Sequence, residues 1–203
     1  ITAPVAVALD GADLPRNAGL PRTAGLPDDL FQHDGQITKR PIRALTLSAL
    51  APRPGEVLWD IGGGSGSISV EWALAGGRAI SIETRPDRAA NIRANAEAFG
   101  LSHCITVVEG RAPEALKTLS TPDAVFIGGG GSADLHAALW ALLPEGTRLV
   151  ANGVTLETEA LLAALHAQHG GSLLRVELAE ATPLGGFRGW QAARPVVQWS
   201  VTR

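Results

Sequence analysis

The sequence predicts an α/β fold: a doubly wound, mostly parallel sheet with an antiparallel carboxy-terminal strand pair. Three observations carry this. Short apolar runs bounded by turns recur between residues 56 and 154, in the manner of strands buried on both faces. Helical patterns separate them, and strict alternation of the two element types builds a parallel sheet. After about residue 172 the rhythm changes to two extended segments, LLRVELAEATPL and RPVVQWSVTR, joined by GGFRGWQAA.

The elements follow in order. Residues 1–30 are rich in Gly, Pro, Asp and Arg without a sustained period, so they are expected to form a linker or amino-terminal arm, with the folded domain over 31–203. A helix is expected in QITKRPIRALTLSAL, with Thr38 as its cap, Pro41 in the first turn, and Ile42, Leu45, Leu47, Ala49 and Leu50 as its apolar positions. PRPGE ends it. The strand candidates are EVLWDI (56–61), RAISIE (78–83), ITVVEG (105–110), DAVFIGG (123–129) and TRLVANGV (147–154). Between them, a helix after the first strand follows the glycines. Pro86 opens the next, with Ile92, Ala96 and Phe99 at helical spacing and Gly100 as its stop. Ser132 is placed to cap a helix carrying Leu135, Leu139 and Leu142, and Leu161, Leu162 and Leu165 mark the last one before Gly170.

With 203 residues and 45% hydrophobic content, the chain suits one large domain. No apolar run reaches the roughly 18 residues that span a bilayer, so a soluble, cytoplasmic protein without a membrane partner is expected. A net charge of −3 argues against a general nucleic-acid binder. Cys104 stands alone, which excludes an internal disulfide framework, and the five histidines form no zinc-protease spacing; no metal is expected. The chain lacks methionine and begins with Ile1, which suggests a part of a longer polypeptide.

Chemistry enters at WDIGGGSGSISVEWAL. A dinucleotide fingerprint counted from Gly62 and Gly64 would need glycine where Ser67 stands, and no lysine follows to make a phosphate-cradling loop. What remains is acid-x-G-x-G-x-G over Asp60, Gly62, Gly64 and Gly66. On the first strand of an alternating α/β chain this resembles the S-adenosylmethionine site of class I, Rossmann-like methyltransferases. The resemblance implies that Asp60 counters the ligand's ammonium, that Glu83 at the second strand's end accepts the ribose hydroxyls, and that Gly110, Arg111 and Ala112 face the adenine. Thr38, Gly63, Ser67 and Gly128 complete the expected cofactor set. Many relatives have Asp in place of Arg111, so adenine recognition through backbone groups is the firmer expectation.

The helix start poses an electrostatic question, because Lys39, Arg40 and Arg43 crowd the end that carries partial positive charge. An anion held there would resolve it. Lys39, Arg40 and Arg43, joined by Arg188, are therefore expected to bind a substrate with several carboxylates, with Gly129 and Gly130 offering an open loop beside it. FQHDGQITKR, the glycine motif, VEGRAPEAL, DAVFIGGG and PLGGFRGWQAARPVVQWSVT together resemble one family, over nearly everything after about residue 25. It is that of the carboxy-terminal domains of precorrin-6Y C5,15-methyltransferases (decarboxylating) and the free-standing cobalt-precorrin C15-methyltransferases. The resemblance implies methylation of C15 and loss of carbon dioxide from the ring C acetate of a carboxylate-rich tetrapyrrole. Lys39 and Arg40 then orient substrate, and His33 is a candidate for proton transfer. It also implies an amino-terminal methylase domain and a homo-oligomer, of which a tetramer is one form. The competing classes are an RNA or protein methyltransferase, a non-catalytic S-adenosylmethionine-binding module and an NAD-dependent oxidoreductase. The first is disfavoured for the amino-methylating nucleic-acid kind by the missing Asn/Asp-Pro-Pro-aromatic motif after the fourth strand, the last by the glycine spacing.

Overall fold

Residues 19–203 are described by the computed structural model. Along them the chain forms α1 (Arg40–Leu50), β1 (Val57–Ile61), α2 (Ser67–Leu74), β2 (Arg78–Glu83), α3 (Pro86–Ala98), β3 (Ile105–Glu109), β4 (Ala124–Ile127), α4 (Ala133–Leu142), β5 (Arg148–Gly153) and α5 (Leu156–His169). β6 (Ser172–Val176), β7 (Ala179–Leu184), β8 (Phe187–Ala192) and β9 (Val196–Thr202) follow. The main sheet has the order β3-β2-β1-β4-β5-β9-β6. β1 to β5 pair in parallel, whereas β9 runs antiparallel to β5 and to β6. β1 lies between β2 and β4, so the winding reverses there and opens a crevice at the carboxyl ends of the strands.

Period-two alternation sorts the strand side chains onto two faces. Leu58, Ala124, Phe126 and Val150 pack with Leu47, Leu50, Ile68 and Ile92 on one side of the sheet. Trp59, Ile61, Val125, Ile127 and Leu149 pack with Leu135, Leu139, Leu162 and Trp199 on the other. Each fully buried large side chain contributes about 1.5–3 kcal/mol relative to exposure. Ser132 caps α4 as expected, its hydroxyl accepting from the Leu135 N–H at 3.2 Å.

Three expectations need correction. LLRVELAEATPL is not one extended segment: it breaks into β6 and β7, and GGFRGWQAA, expected as a connection, supplies β8. β7 and β8 pair only with each other, about the two-residue Gly185-Gly186 turn in which Gly185 adopts φ +59°. Gly-Gly is a hairpin signal because the first central residue of a tight two-residue turn adopts positive φ, which glycine tolerates best. The antiparallel pair that closes the main sheet is therefore β6 with β9. Thr38 is not the cap of α1; Lys39 occupies that position with no side-chain capping bond, and the Thr38 carbonyl instead accepts from Arg43 Nη1 at 2.5 Å. Packing also begins before residue 31, since Leu26 is only 1% exposed. The remainder of the expected arm, residues 1–18, lies outside the described residues.

Candidate active site

The loop after β1 is shaped by what its glycines must avoid. A Cβ on Gly62, at φ +72°, would sit 2.7 Å from the Gly129 carbonyl oxygen, and one on Gly66 would meet Ile92 Cγ2 at 2.8 Å. Gly63 and Gly128 are likewise filled in, against Ser81 Oγ and the Phe126 ring. Gly64 is different. A Cβ there would find nothing nearer than the Gln36 carbonyl at 3.7 Å, and Gly130 has nothing within 4 Å. So the motif has two jobs: most of its glycines let backbone and α3 approach, and Gly64 leaves the open face.

At the carboxyl ends of β1, β2 and β3, and beside the loop after β4, lies an open cavity of about 520 Å³ lined by Gly62, Glu83, Arg111, Gly129, Gly130 and their neighbours. Glu83, 4% exposed, is fixed by backbone donors. Its Oε2 accepts from the Gly64 N–H at 2.9 Å; Oε1 accepts from those of Thr84 at 2.8 Å and Arg85 at 3.0 Å. The carboxylate thereby ties the β2 end to the glycine loop and keeps acceptor capacity on Oε2. Gly110, Arg111 and Ala112 line the same cavity, and Arg111 has no ion-pair partner among the described residues. Asp60 does not line it. That carboxylate is 1% exposed, with Oδ2 accepting from Ser69 Oγ at 2.6 Å and Oδ1 left without a partner. Burial pushes its pKa up to about 6, against the Ser69 hydrogen bond and aided by the charge of Glu83. An acid at the cavity wall and an orphaned acceptor behind the loop suit a ligand that brings hydrogen-bond donors and positive charge to this side of the cavity.

A segment from Phe31 to Thr38 crosses this loop. Asn95, 2% exposed, holds it: Oδ1 accepts from the Gln32 N–H at 2.7 Å, and Nδ2 donates to the carbonyls of Gln32 at 2.9 Å and Ser65 at 2.8 Å. Asp34 accepts from Arg88 Nε at 2.9 Å, and that bond is first among the causes holding its carboxyl below the usual range. His33 is half-buried in the segment, and its Nδ1 accepts from the Gly35 N–H at 3.0 Å. Asn95 escaped the sequence reading, although a polar residue three positions from Ile92, on the stripe that α3 buries, was a usable signal.

The basic turn divides. Arg43 is 0% exposed and does not face a ligand, which corrects its expected substrate role. Its Nε donates to Glu71 Oε1 at 2.6 Å, Nη2 to Asp28 Oδ1 at 3.0 Å and to the Leu26 carbonyl, and the guanidinium lies 4.7 Å over the Phe31 ring. Glu71 in turn accepts from the Gly25 and Leu26 N–H groups, so it answers for one of the three cations. Lys39 and Arg40 remain exposed and line a second cavity of about 590 Å³ with Asp28, Glu180, Thr182 and Gln191. Arg188 does not join them. It pairs across the hairpin with Pro183, on the face opposite to Glu180, Thr182 and Gln191. Gly129 and Gly130, expected on the substrate side, line the glycine-loop cavity instead.

A sequence model described as precorrin methyltransferase domain matches residues 29–203. The chain is 61% identical over 180 residues to a precorrin-6Y C(5,15)-methyltransferase (decarboxylating) from Sinorhizobium sp, covering 87% of this chain and 43% of that protein. A Saccharolobus solfataricus protein named "Probable cobalt-precorrin-6B C(15)-methyltransferase (decarboxylating)" is 40% identical over 140 residues, 64% of this chain and 70% of that one. Among solved structures, the C-terminal domain of precorrin-6Y C5,15-methyltransferase from Rhodobacter capsulatus superposes with a TM-score of 0.89 at 61% identity, covering 91% of this chain and 100% of that one. The chain thus spans less than half the length of its Sinorhizobium relative.

Proposed function

Because the chain belongs to the precorrin methyltransferase domain family, we propose that it methylates C15 of a precorrin from S-adenosylmethionine and releases the carboxyl group of the ring C acetate as carbon dioxide, leaving a methyl group. Its fold is the doubly wound sheet of class I methyltransferases. One observation carries the reading: a cavity lined by the glycine loop and Glu83 and a separate cavity bearing Lys39 and Arg40 both occur in this one chain.

When bound, S-adenosylmethionine supplies a methyl group on a sulfonium. The chain's residues do the rest by placement. Glu83 offers its remaining acceptor capacity to the ribose, the backbone at Gly110–Ala112 faces the adenine, and Gly62–Gly66 together with Gly128 and Thr38 form the surround. Asp60 contributes its charge from behind the loop. Lys39 and Arg40 orient substrate carboxylates, so that the electron-rich C15 presents its π pair to the methyl carbon. Decarboxylation sends the electron pair of the breaking carbon–carboxylate bond into the conjugated macrocycle, and the former acetate carbon then takes up a proton. His33 is our candidate for that transfer: Nδ1 accepts a hydrogen bond, which leaves Nε2 carrying the proton. The reading includes a cytoplasmic location, a homo-oligomer, and an amino-terminal methylase domain in a longer polypeptide.

The test is incubation with S-adenosylmethionine and a precorrin lacking the C15 methyl, followed by mass spectrometry. Gain of one methyl with loss of one carbon dioxide supports the reading; cofactor binding with an unchanged tetrapyrrole overturns it. Arg40→Ala should raise the precorrin KM about tenfold while S-adenosylhomocysteine affinity stays within about twofold.

A further inference from the structure

The β7–β8 hairpin has no part in the chemistry so far, yet Phe187 is 84% exposed, Trp190 79% and Leu184 68%. Leaving such side chains in water forgoes the burial that stabilises most surfaces. The cross-strand register sorts them. Leu184 opposes Phe187, Thr182 opposes Gly189, and Glu180 opposes Gln191, so these six share one face. Ala181 with Trp190 and Pro183 with Arg188 occupy the other. Side-chain packing agrees, because a Cβ on Gly189 would lie 3.2 Å from Leu184 Cδ2; the leucine folds over the glycine on the first face.

That first face looks toward the cations. Glu180, Thr182 and Gln191 line the cavity shared with Lys39 and Arg40. The hairpin leaves the sheet at the carboxyl ends of β1 to β5, because β6 runs antiparallel to β9, which is itself antiparallel to β5. From foot to tip the inner face therefore changes from polar beside two cations to apolar, over roughly 17 Å by strand rise.

We infer that this inner face is the wall on which the flat, conjugated part of the substrate rests, with Phe187 and Leu184 as positioning contacts. This rests on the function proposed above. An apolar wall whose polar foot carries Arg40 and Lys39, the latter 3.8 Å from Asp28, matches a planar apolar body with carboxylates at its rim, and the open Gly185-Gly186 turn leaves the tip unobstructed. Gly189 serves the same surface, since a Cβ there would press on Leu184 at 3.2 Å and shift it by a few tenths of an ångström.

The experiment measures steady-state kinetics of Phe187→Ala and Leu184→Ala on the precorrin lacking the C15 methyl at saturating S-adenosylmethionine. S-adenosylhomocysteine affinity by calorimetry and mass in solution by light scattering accompany it. The expected result is a precorrin KM raised about tenfold for Phe187→Ala and less for Leu184→Ala, with cofactor affinity within about twofold and mass unchanged. Trp190→Ala, on the outer face, should leave KM unchanged. An active wild-type chain whose KM ignores Phe187→Ala overturns the inference while leaving the proposed function intact. A change of mass in Phe187→Ala also overturns it, by assigning the face to contact with another copy of the chain. A wild-type chain that binds S-adenosylhomocysteine but does not turn over the precorrin overturns both.

Discussion

The glycine-loop region and the β7–β8 hairpin, the two places where a small molecule is proposed to rest, are built in opposite ways. Around the loop, Glu83 and Asn95 each make three hydrogen bonds to backbone while only 4% and 2% exposed. The hairpin pairs only with itself and shows most of its side chains to solvent. A site whose polar groups are already fixed loses little conformational freedom when its ligand arrives; a free ribbon must be ordered at that moment. The lesson is that preorganisation is concentrated at the proposed cofactor site, and adaptability at the proposed substrate wall.

The sharpest way to break this division is through the cations of α1. Arg43→Ala leaves the Glu71 carboxylate buried and unpaired, and should cost about 3–5 kcal/mol in urea denaturation. Arg40→Ala should cost no more than about 0.5 kcal/mol. Equal losses would mean that internal and ligand-facing cations were wrongly separated.

Next comes Asp60, whose folded pKa of about 6 exceeds the usual 3.8 because burial disfavours its charge. The unfolded chain gives up this proton first, so stability contributed by the protonated form is present below about pH 4 and is lost as pH rises through about 6. The loss is about 3 kcal/mol, and Asp60→Asn should flatten it. Glu83 is the other charge acting on this group. An ammonium close to Oδ1 would pull the pKa back down, so S-adenosylhomocysteine affinity should increase as pH rises through about 6. Affinity that is flat in pH, measured by calorimetry, would remove Asp60 from the cofactor site.

A smaller effect is expected from Gly62→Ala, at φ +72° and 2.7 Å from the Gly129 carbonyl: about 2 kcal/mol and a weaker cofactor complex. Gly130→Ala, with open space around it, should cost only about 1 kcal/mol for its left-handed backbone. The smallest change belongs to Arg188→Ala, whose precorrin KM should stay within about twofold of wild type. A larger rise would show that the outer hairpin face also meets substrate.

How much of this was legible in the sequence depends on how local the signal is. RAISIE became β2 at Arg78–Glu83 without revision, because its apolar run and its bounding turns lie within a few residues of each other. Arg40 and Arg43 look alike in sequence. They part only because Glu71, 28 residues further on, reaches one of them. Asn95 is tied to Gln32 across 63 residues, and the face of Arg188 follows from a register set by a turn that was read as a plain connection. The glycine motif was recognisable, whereas which of its glycines faces open space needed Ile92 and Gly129 in place around it.

β9, last among the described elements, lies inside the sheet, between β5 and β6. A growing chain still missing residues 196–202 therefore has nothing to which β6 can attach, and β5 is left as an open edge that other chains can pair with. Synthesis proceeds at about 5–20 residues per second, so β1 to β5 wait seconds for their final neighbour. Closure of the sheet, and with it the seating of the hairpin between β6 and β9, becomes a late event in the assembly of these strands.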